Sequence, residues 1–243
     1  MERFGAPILR NGGEVMQEKN NFKRILSGIM SVAMAATLLP SLPVVAENTA
    51  EKYPYTMFAA SDTEGAITIN ANNFCVNGNI ATNGTIVSSG NMNVNGTKTE
   101  NADEEMIYIL KKLNYSYFSG DNVETYADDY SFEDLNININ NPMDVNGTLE
   151  LTGNINLNSG IKAVEDVTIN GEVKNTNNSV ICSETGDINI ETSNVNFSGL
   201  IYAPYGDINI DTDNLNLNNV IIIGQTITCL LYTSPSPRDR QKS

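Results

Sequence analysis

The chain has 243 residues, a formal charge of −15, and neither His nor Trp. Between Glu47 and Thr228 six Lys, no Arg and 25 Asp plus Glu leave −19, a field that repels phosphate backbones and anionic membrane surfaces and so excludes nucleic acid as a partner. Without His and Trp the chain lacks the commonest general base, the commonest metal ligand and the largest ring for stacking on sugars.

Taken from the start, residues 1–15 read as an untranslated leader. Asn11-Gly12-Gly13-Glu14-Val15-Met16 back-translates to a purine-rich ribosome-binding site ahead of a start codon, which makes Met16 the expected first residue. Residues 16–46 have the form of a secretory signal: Lys19, Lys23 and Arg24, an apolar run from Ile25 to Leu39, then Val44-Val45-Ala46 suited to cleavage. That run is shorter than the roughly 20 residues a bilayer span needs, so no membrane insertion is expected after cleavage. Residues 47–228 are long enough for one domain with a substantial core.

Within that domain Ile67, Ile69, Phe74, Val76, Ile80, Ile86, Met92 and Val94 alternate with polar residues in short stretches broken by turns such as Asn77-Gly78 and Asn95-Gly96. This group is expected to begin a stack of short strands. Residues 101–134 break the pattern and read as an inserted excursion. Met106, Ile109, Leu110 and Leu113 have helical spacing, with Asp103-Glu104-Glu105 before them and Lys111-Lys112 after, a charge order suited to a helix dipole. The excursion also holds the densest aromatic and acidic patch, including Tyr115, Tyr117, Phe118, Tyr126, Asp128, Asp129 and Tyr130.

Strand grammar resumes with Leu135, Ile137, Ile139 and Val145, then with Leu149 to Ala163 and Val167 to Cys182. It is clearest where GDINI at Gly186–Ile190 returns at Gly206–Ile210. Ile188 then matches Ile208, Val195 matches Leu215, Phe197 matches Leu217, Leu200 matches Val220 and Tyr202 matches Ile222. Three alternating stretches separated by turns in about 20 residues describe one coil of a solenoid. The expected fold is therefore all-β, a right-handed parallel β-helix with one short helical insertion and columns of Asn bonded through their side-chain amides. A leucine-rich repeat is the other architecture of this period, but it needs a helical return where this chain alternates like a strand. Cys75 and Cys182 would lie about five coils apart at about 4.8 Å per coil, beyond disulfide reach, and are expected as small buried apolar groups. Residues 229–243, beginning Cys229-Leu230-Leu231-Tyr232, resemble a translated transposase-type sequencing adapter, which implies that the natural protein continues beyond Thr228.

The chemistry on offer is sparse. Asp128-Asp129, or Asp187 stacked with Asp207, could pair as general acid and base, but Gly-Asp recurs where a turn enters a strand, and no catalytic residue is assigned. Glu191, Asp207, Asp211 and Asp213 supply hard oxygen ligands at turns, which allows weak calcium binding and implies no other cofactor. For ligand contact the candidates are Tyr205, placed at a turn, with Tyr115, Tyr117, Tyr126 and Tyr130 of the excursion. Tyr202 reads as core.

Residues Glu64–Gly96 together with GLIYAPYGDINI (Gly199–Ile210) resemble the N-terminal region of large secreted surface proteins of gram-positive gut bacteria. The resemblance implies a cell-wall or secreted location, downstream domains in the same chain, and extracellular polysaccharide or a host or cell-surface protein as partner. A weaker similarity is to β-helical cytoskeletal polymers. The resulting expectation is a non-enzymatic structural or adhesion module, a rigid spacer. The alternatives are a β-helical carbohydrate-active enzyme or polysaccharide-binding module, and a self-assembling β-helix.

Overall fold

The structure, a computed structural model, describes residues 54–71, 74–175 and 178–231. The segments expected as leader (1–15) and secretory signal (16–46), and residues 232–243 of the tail expected as adapter, lie outside that set. An N-terminal group of short strands comes first: β1 (Met57–Ala59), β2 (Ile67–Asn70), β3 (Phe74–Val76), β4 (Ile80–Thr82), β5 (Ile86–Ser89), β6 (Met92–Val94) and β7 (Lys98–Thr99). Among the described residues one helix, α1 (Leu110–Ser116), follows. The remaining strands are β8 (Glu124–Tyr126), β9 (Tyr130–Ile139), β10 (Met143–Val145), β11 (Leu149–Leu157), β12 (Ile161–Ala163), β13 (Val167–Asn170), β14 (Val173–Lys174), β15 (Ser179–Ser183), β16 (Ile188–Ala203), β17 (Ile208–Gly224) and β18 (Ile227–Leu231).

Every strand pairing is parallel, and the partners stack into a β-solenoid of about eight coils with three walls. On the first wall Tyr130, Leu149, Val167, Ile188, Ile208, Ile227, Ile67 and Ile86 sit one above another. At about 4.8 Å per coil the eight rungs extend over roughly 35 Å. The cause is the alternation itself: Ile188, Ile190, Val195, Phe197, Ile208 and Ile210 point inward and are essentially sealed from solvent. The intervening Asn residues face out and form the expected columns. Asn209 Nδ2 donates to Asn189 Oδ1 at 2.9 Å, Asn156 to Asn138 at 3.0 Å and Asn158 to Asn140 at 2.9 Å.

The order of the stack departs from the order of the chain. The N-terminal group does not begin the solenoid; it caps the C-terminal end, where β2 pairs with β18 (Ile67↔Ile227, Ile69↔Cys229) and β1 pairs with β17 (Met57↔Ile222). All coils carry the same inward pattern, so any coil can close the apolar end of any other. The composite coil at the junction takes its first wall from β18 and its third from β1. On the second wall β3 pairs with β6 and with no other described strand, and a cleft of about 90 Å³ lies between Phe74–Val76 and Leu217–Val220.

Several local expectations also change. Asn219 is an extra residue in left-handed conformation (φ 51°), so beyond Phe197 the register slips by one, and Leu200 meets Ile221 while Tyr202 meets Ile223. A second slip lies opposite Thr152–Asn154, and it turns Leu135 out to 82 % exposure instead of into the core. The excursion ends before Glu124, because β8 and β9 already form the first coil; Tyr126 and Tyr130 pair with Val145 and Leu149 there. Cys75 points outward and is exposed, whereas Cys182 is buried, and both are free thiols. On α1 the lysines Lys111 and Lys112 occupy the first turn and Asp103–Glu105 lie outside the helix, so the dipole argument does not apply.

Candidate functional site

The third wall differs from the other two because both of its faces are buried. Strands β12, β15 and the last part of β16 are covered residue after residue: Val180, Ile181, Cys182, Leu200, Ile201, Tyr202 and Ala203 have 2 % exposure or less. Inward members belong to the core, while the outward set of Phe58, Val180, Cys182, Leu200, Tyr202 and Ile223 is roofed by the excursion and the residues before β1. A continuous apolar run is the sequence form of a strand buried on both faces, and Val220-Ile221-Ile222-Ile223 carries it.

The excursion descends this wall in chain order. Asn83 fixes its start, donating to Glu104 O and accepting from Glu104 N, each at 2.8 Å. Tyr202 holds its middle, its phenol donating to Ile107 O at 2.9 Å and accepting from Ile109 N at 3.1 Å. Burial pushes the Tyr202 phenol well above its usual range. Lower down, Lys162 Nζ lies 2.8 Å from Asn114 Oδ1 on α1, 2.8 Å from Glu184 and 3.1 Å from Asp144, with the Phe118 ring 5.5 Å away. Burial alone would lower the Lys162 ammonium, but hydrogen bonds and charge from Glu184 and Asp144 outweigh it and raise the group above an ordinary lysine. Lys162, buried between two partly exposed carboxylates, ties the third wall to α1.

The candidate ligand tyrosines fall into separate places. Tyr205 is 58 % exposed at the turn after β16, and its ring lies 5.5 Å from that of Tyr108, itself 60 % exposed on the excursion. Tyr108 was not singled out by the sequence; its place between Ile107 and Ile109, both held against Tyr202, is what turns it outward. Together they form an exposed aromatic pair tilted by 35°, suited to contact with a sugar ring or a protein side chain. Tyr117 instead packs over Gly160 and against Phe118, half-buried. Tyr126 and Tyr130, partly buried against the core at the first coil, lie with ring centroids 3.9 Å apart and tilted by 36°, and the exposed Phe132 stacks on Tyr130. Desolvation, with Tyr130 and Glu124 beside it, pushes the Tyr126 phenol up to about 12. Tyr115 lies on α1, and its side chain is outside the described set.

Of the acidic candidates, Glu191 and Asp211 are direct neighbours across β16 and β17. Asp207 belongs to a corner ladder: Asp166 Oδ1 accepts from Asp187 N at 2.8 Å, Asp187 Oδ1 from Asp207 N at 2.7 Å, and Asp207 Oδ1 from Thr226 N at 3.1 Å. The Asp of GDINI is therefore an inter-coil rung. The Gly before it leaves room for backbone, because a Cβ on Gly206 would come within 1.9 Å of Gly186 O. Asp129 does the same at the first coil, accepting from Thr148 N at 2.9 Å. Among the described residues no three or more Asp, Glu, Cys or His, these four acids included, converge as a metal-binding group.

These walls define a parallel β-solenoid with an insertion bound along one side. No protein-family model and no curated protein matches the sequence. Among solved structures it is similar to an ice-binding protein from the Antarctic ascomycete Antarctomyces psychrotrophicus, at 12 % identity and TM-score 0.32, over 73 % of this chain and 94 % of that one. A second similarity is to an ice binding protein from an Antarctic biological consortium, at 11 % identity and TM-score 0.27, over 73 % and 87 %.

Proposed function

We propose that this chain is a secreted or cell-surface structural module, a rigid non-enzymatic spacer that contacts extracellular polysaccharide or protein through the Tyr108–Tyr205 pair. The observation that carries the reading is the unbroken first wall. Eight coils are hydrogen-bonded in register, and the corner carboxylates Asp166, Asp187 and Asp207 are each occupied by a backbone N–H of the next coil. Such side chains are committed to holding the rod, whereas Tyr108 and Tyr205 stand exposed side by side and offer a contact surface.

The test is a binding titration of the full chain against a panel of neutral and acidic polysaccharides, with reducing ends assayed in the same samples. Binding that disappears in Tyr205→Ala and in Tyr108→Ala, without release of reducing ends, supports the module. Release of reducing ends would favour the carbohydrate-active enzyme. Secretion is checked separately by expressing the chain in a gram-positive host, where processing near Ala46 and export are expected and an intact cytoplasmic product would refute it.

A second reading, binding to a flat ordered lattice such as ice, rests on the first wall. One of its two outward columns reads Val87, Thr68, Thr228, Asn209, Asn189 and Thr168 along six successive coils without a charge, beside a second column of Ser89, Asn70, Leu230, Asp211, Glu191 and Asn170. Thermal hysteresis abolished by Thr168→Tyr would support this reading, and an unchanged freezing point would dismiss it.

A further inference from the structure

We propose that Lys162 and Asn114 form an intramolecular amide bond that welds the excursion to the third wall, with Glu184 as the proton carrier. Lys162 is 5 % exposed, and its Nζ sits 2.8 Å from the side-chain carbonyl oxygen of Asn114. One oxygen of Glu184, Oε1, touches both reactants: it lies 2.8 Å from Lys162 Nζ and 3.3 Å from Asn114 Nδ2. Those partners also fix the orientation of the amide. Lysine can only donate, so it must face Oδ1, and the carboxylate accepts from Nδ2.

Two elements 48 residues apart thus hold an amine, an amide and a bridging carboxylate together, with Asp144 3.1 Å from the buried amine and the Phe118 ring 5.5 Å from it. Fixing reactants in this way supplies effective molarities of about 10⁵ M or more, enough for a slow reaction that need happen only once per chain.

The step balances without any outside reagent. Glu184 takes a proton from the Lys162 ammonium, and the freed nitrogen lone pair attacks Asn114 Cγ. The new C–N bond forms as Glu184 returns the proton to Nδ2; the Cγ–Nδ2 bond breaks and ammonia leaves. The attacking nitrogen then loses its second proton to Glu184, which hands it to the departing ammonia. A lysine ammonium and a primary amide become a secondary amide and an ammonium ion. Because Glu184 and Asp144 hold the proton on Lys162, the reaction is expected to be faster at mildly alkaline pH.

The experiment is intact-mass and fragment analysis of the full, folded chain after incubation at mildly alkaline pH. The expected result is a mass lower than the sequence mass by one ammonia, and a branched peptide joining Asn114 to Lys162 after digestion. Lys162→Arg and Asn114→Ala keep their sequence masses. Glu184→Gln, which preserves the shape of the carrier, slows the loss by at least about a hundredfold while its circular dichroism stays that of the parent. Should a variant fail to fold, the parent chain decides: a folded parent that retains its full sequence mass and yields separate Asn114 and Lys162 peptides overturns the proposal.

Discussion

The second and third walls of this solenoid are built from the same coils and follow different rules. On the second wall, Asn194-Val195-Asn196-Phe197 and Asn214-Leu215-Asn216-Leu217 put apolar side chains in and amides out, and water finishes the outer face. On the third wall, Gly199-Leu200-Ile201-Tyr202-Ala203 is apolar on both sides, because the excursion takes the place of water. An outward residue in a solenoid is thus polar by default and turns apolar where another segment of the chain lies over it. It also marks the route of the excursion, which carries the chain from the capping coils at one end back to the first coil at the other. Of the 24 residues from Glu100 to Val123, the seven in α1 rise about 1.5 Å each and the rest about 3.3 Å if extended, a reach of roughly 65 Å, well beyond the stack height of roughly 35 Å.

The largest expected break in that contrast is Tyr202→Ala. It removes a fully buried ring and both hydrogen bonds to the excursion, and should cost about 3–5 kcal/mol in chemical denaturation. Hydrogen exchange should then rise at Ile107–Leu113 while the Asn columns of the second wall keep their protection. Tyr202→Phe sharpens the comparison by keeping the ring and leaving the buried Ile109 N–H and Ile107 carbonyl without the phenol; about 1–3 kcal/mol is expected from the same titration.

High pH should act in the same direction. The folded chain favours the neutral phenols of Tyr202 and Tyr126, both raised above the ordinary value of 10.0. Their contribution is complete below pH 10.0 and is lost as pH climbs, for Tyr126 through about 12 and for Tyr202 higher still. Denaturant midpoints should therefore fall with pH in the parent, and fall less in Tyr202→Phe. The smallest effect belongs to the wet wall positions. Asn209→Ala breaks one solvated ladder bond at 2.9 Å and should change stability by about 0.5–1 kcal/mol, with no change in exchange along the excursion.

Much of this fold was legible in the sequence, and what was not has physical causes. The 20-residue return of GDINI and the Asn columns follow from alternation and stacking, which are local properties. Asn219 escaped because an extra Asn beside Asn218 looks like any other polar corner. Leu135 has the sequence pattern of a core residue because alternation says nothing about a bulge opposite Gly153. The place of the N-terminal group was hidden for a deeper reason: coils with the same inward pattern are interchangeable as neighbours, so nothing in Ile67 or Ile69 says which coil they cover. The apolar runs Met57-Phe58-Ala59-Ala60 and Val220-Ile221-Ile222-Ile223 did carry a signal, two-sided burial, and they are the two strands that meet at the junction. Of the candidate contact residues, Tyr205 stands exposed as its turn position suggested. Tyr126 and Tyr130 show why aromatic density is a poor guide, since at the end of a stack it can serve to pack against the core.

The N-terminal coils stack on the C-terminal end of the solenoid. That stacking is tested most directly by cysteine pairing in a Cys75→Ser background. Thr68 and Thr228 face each other across β2 and β18 on the outer side of the first wall. The double substitution Thr68→Cys with Thr228→Cys should oxidise readily to a disulfide that leaves the fold intact, since adjacent strands bring Cα atoms within about 7 Å. Val87→Cys with Ser131→Cys would join the N-terminal group to the first coil if the stack followed the chain, and that pair should stay reduced. A disulfide in the second pair and free thiols in the first would contradict the fold described.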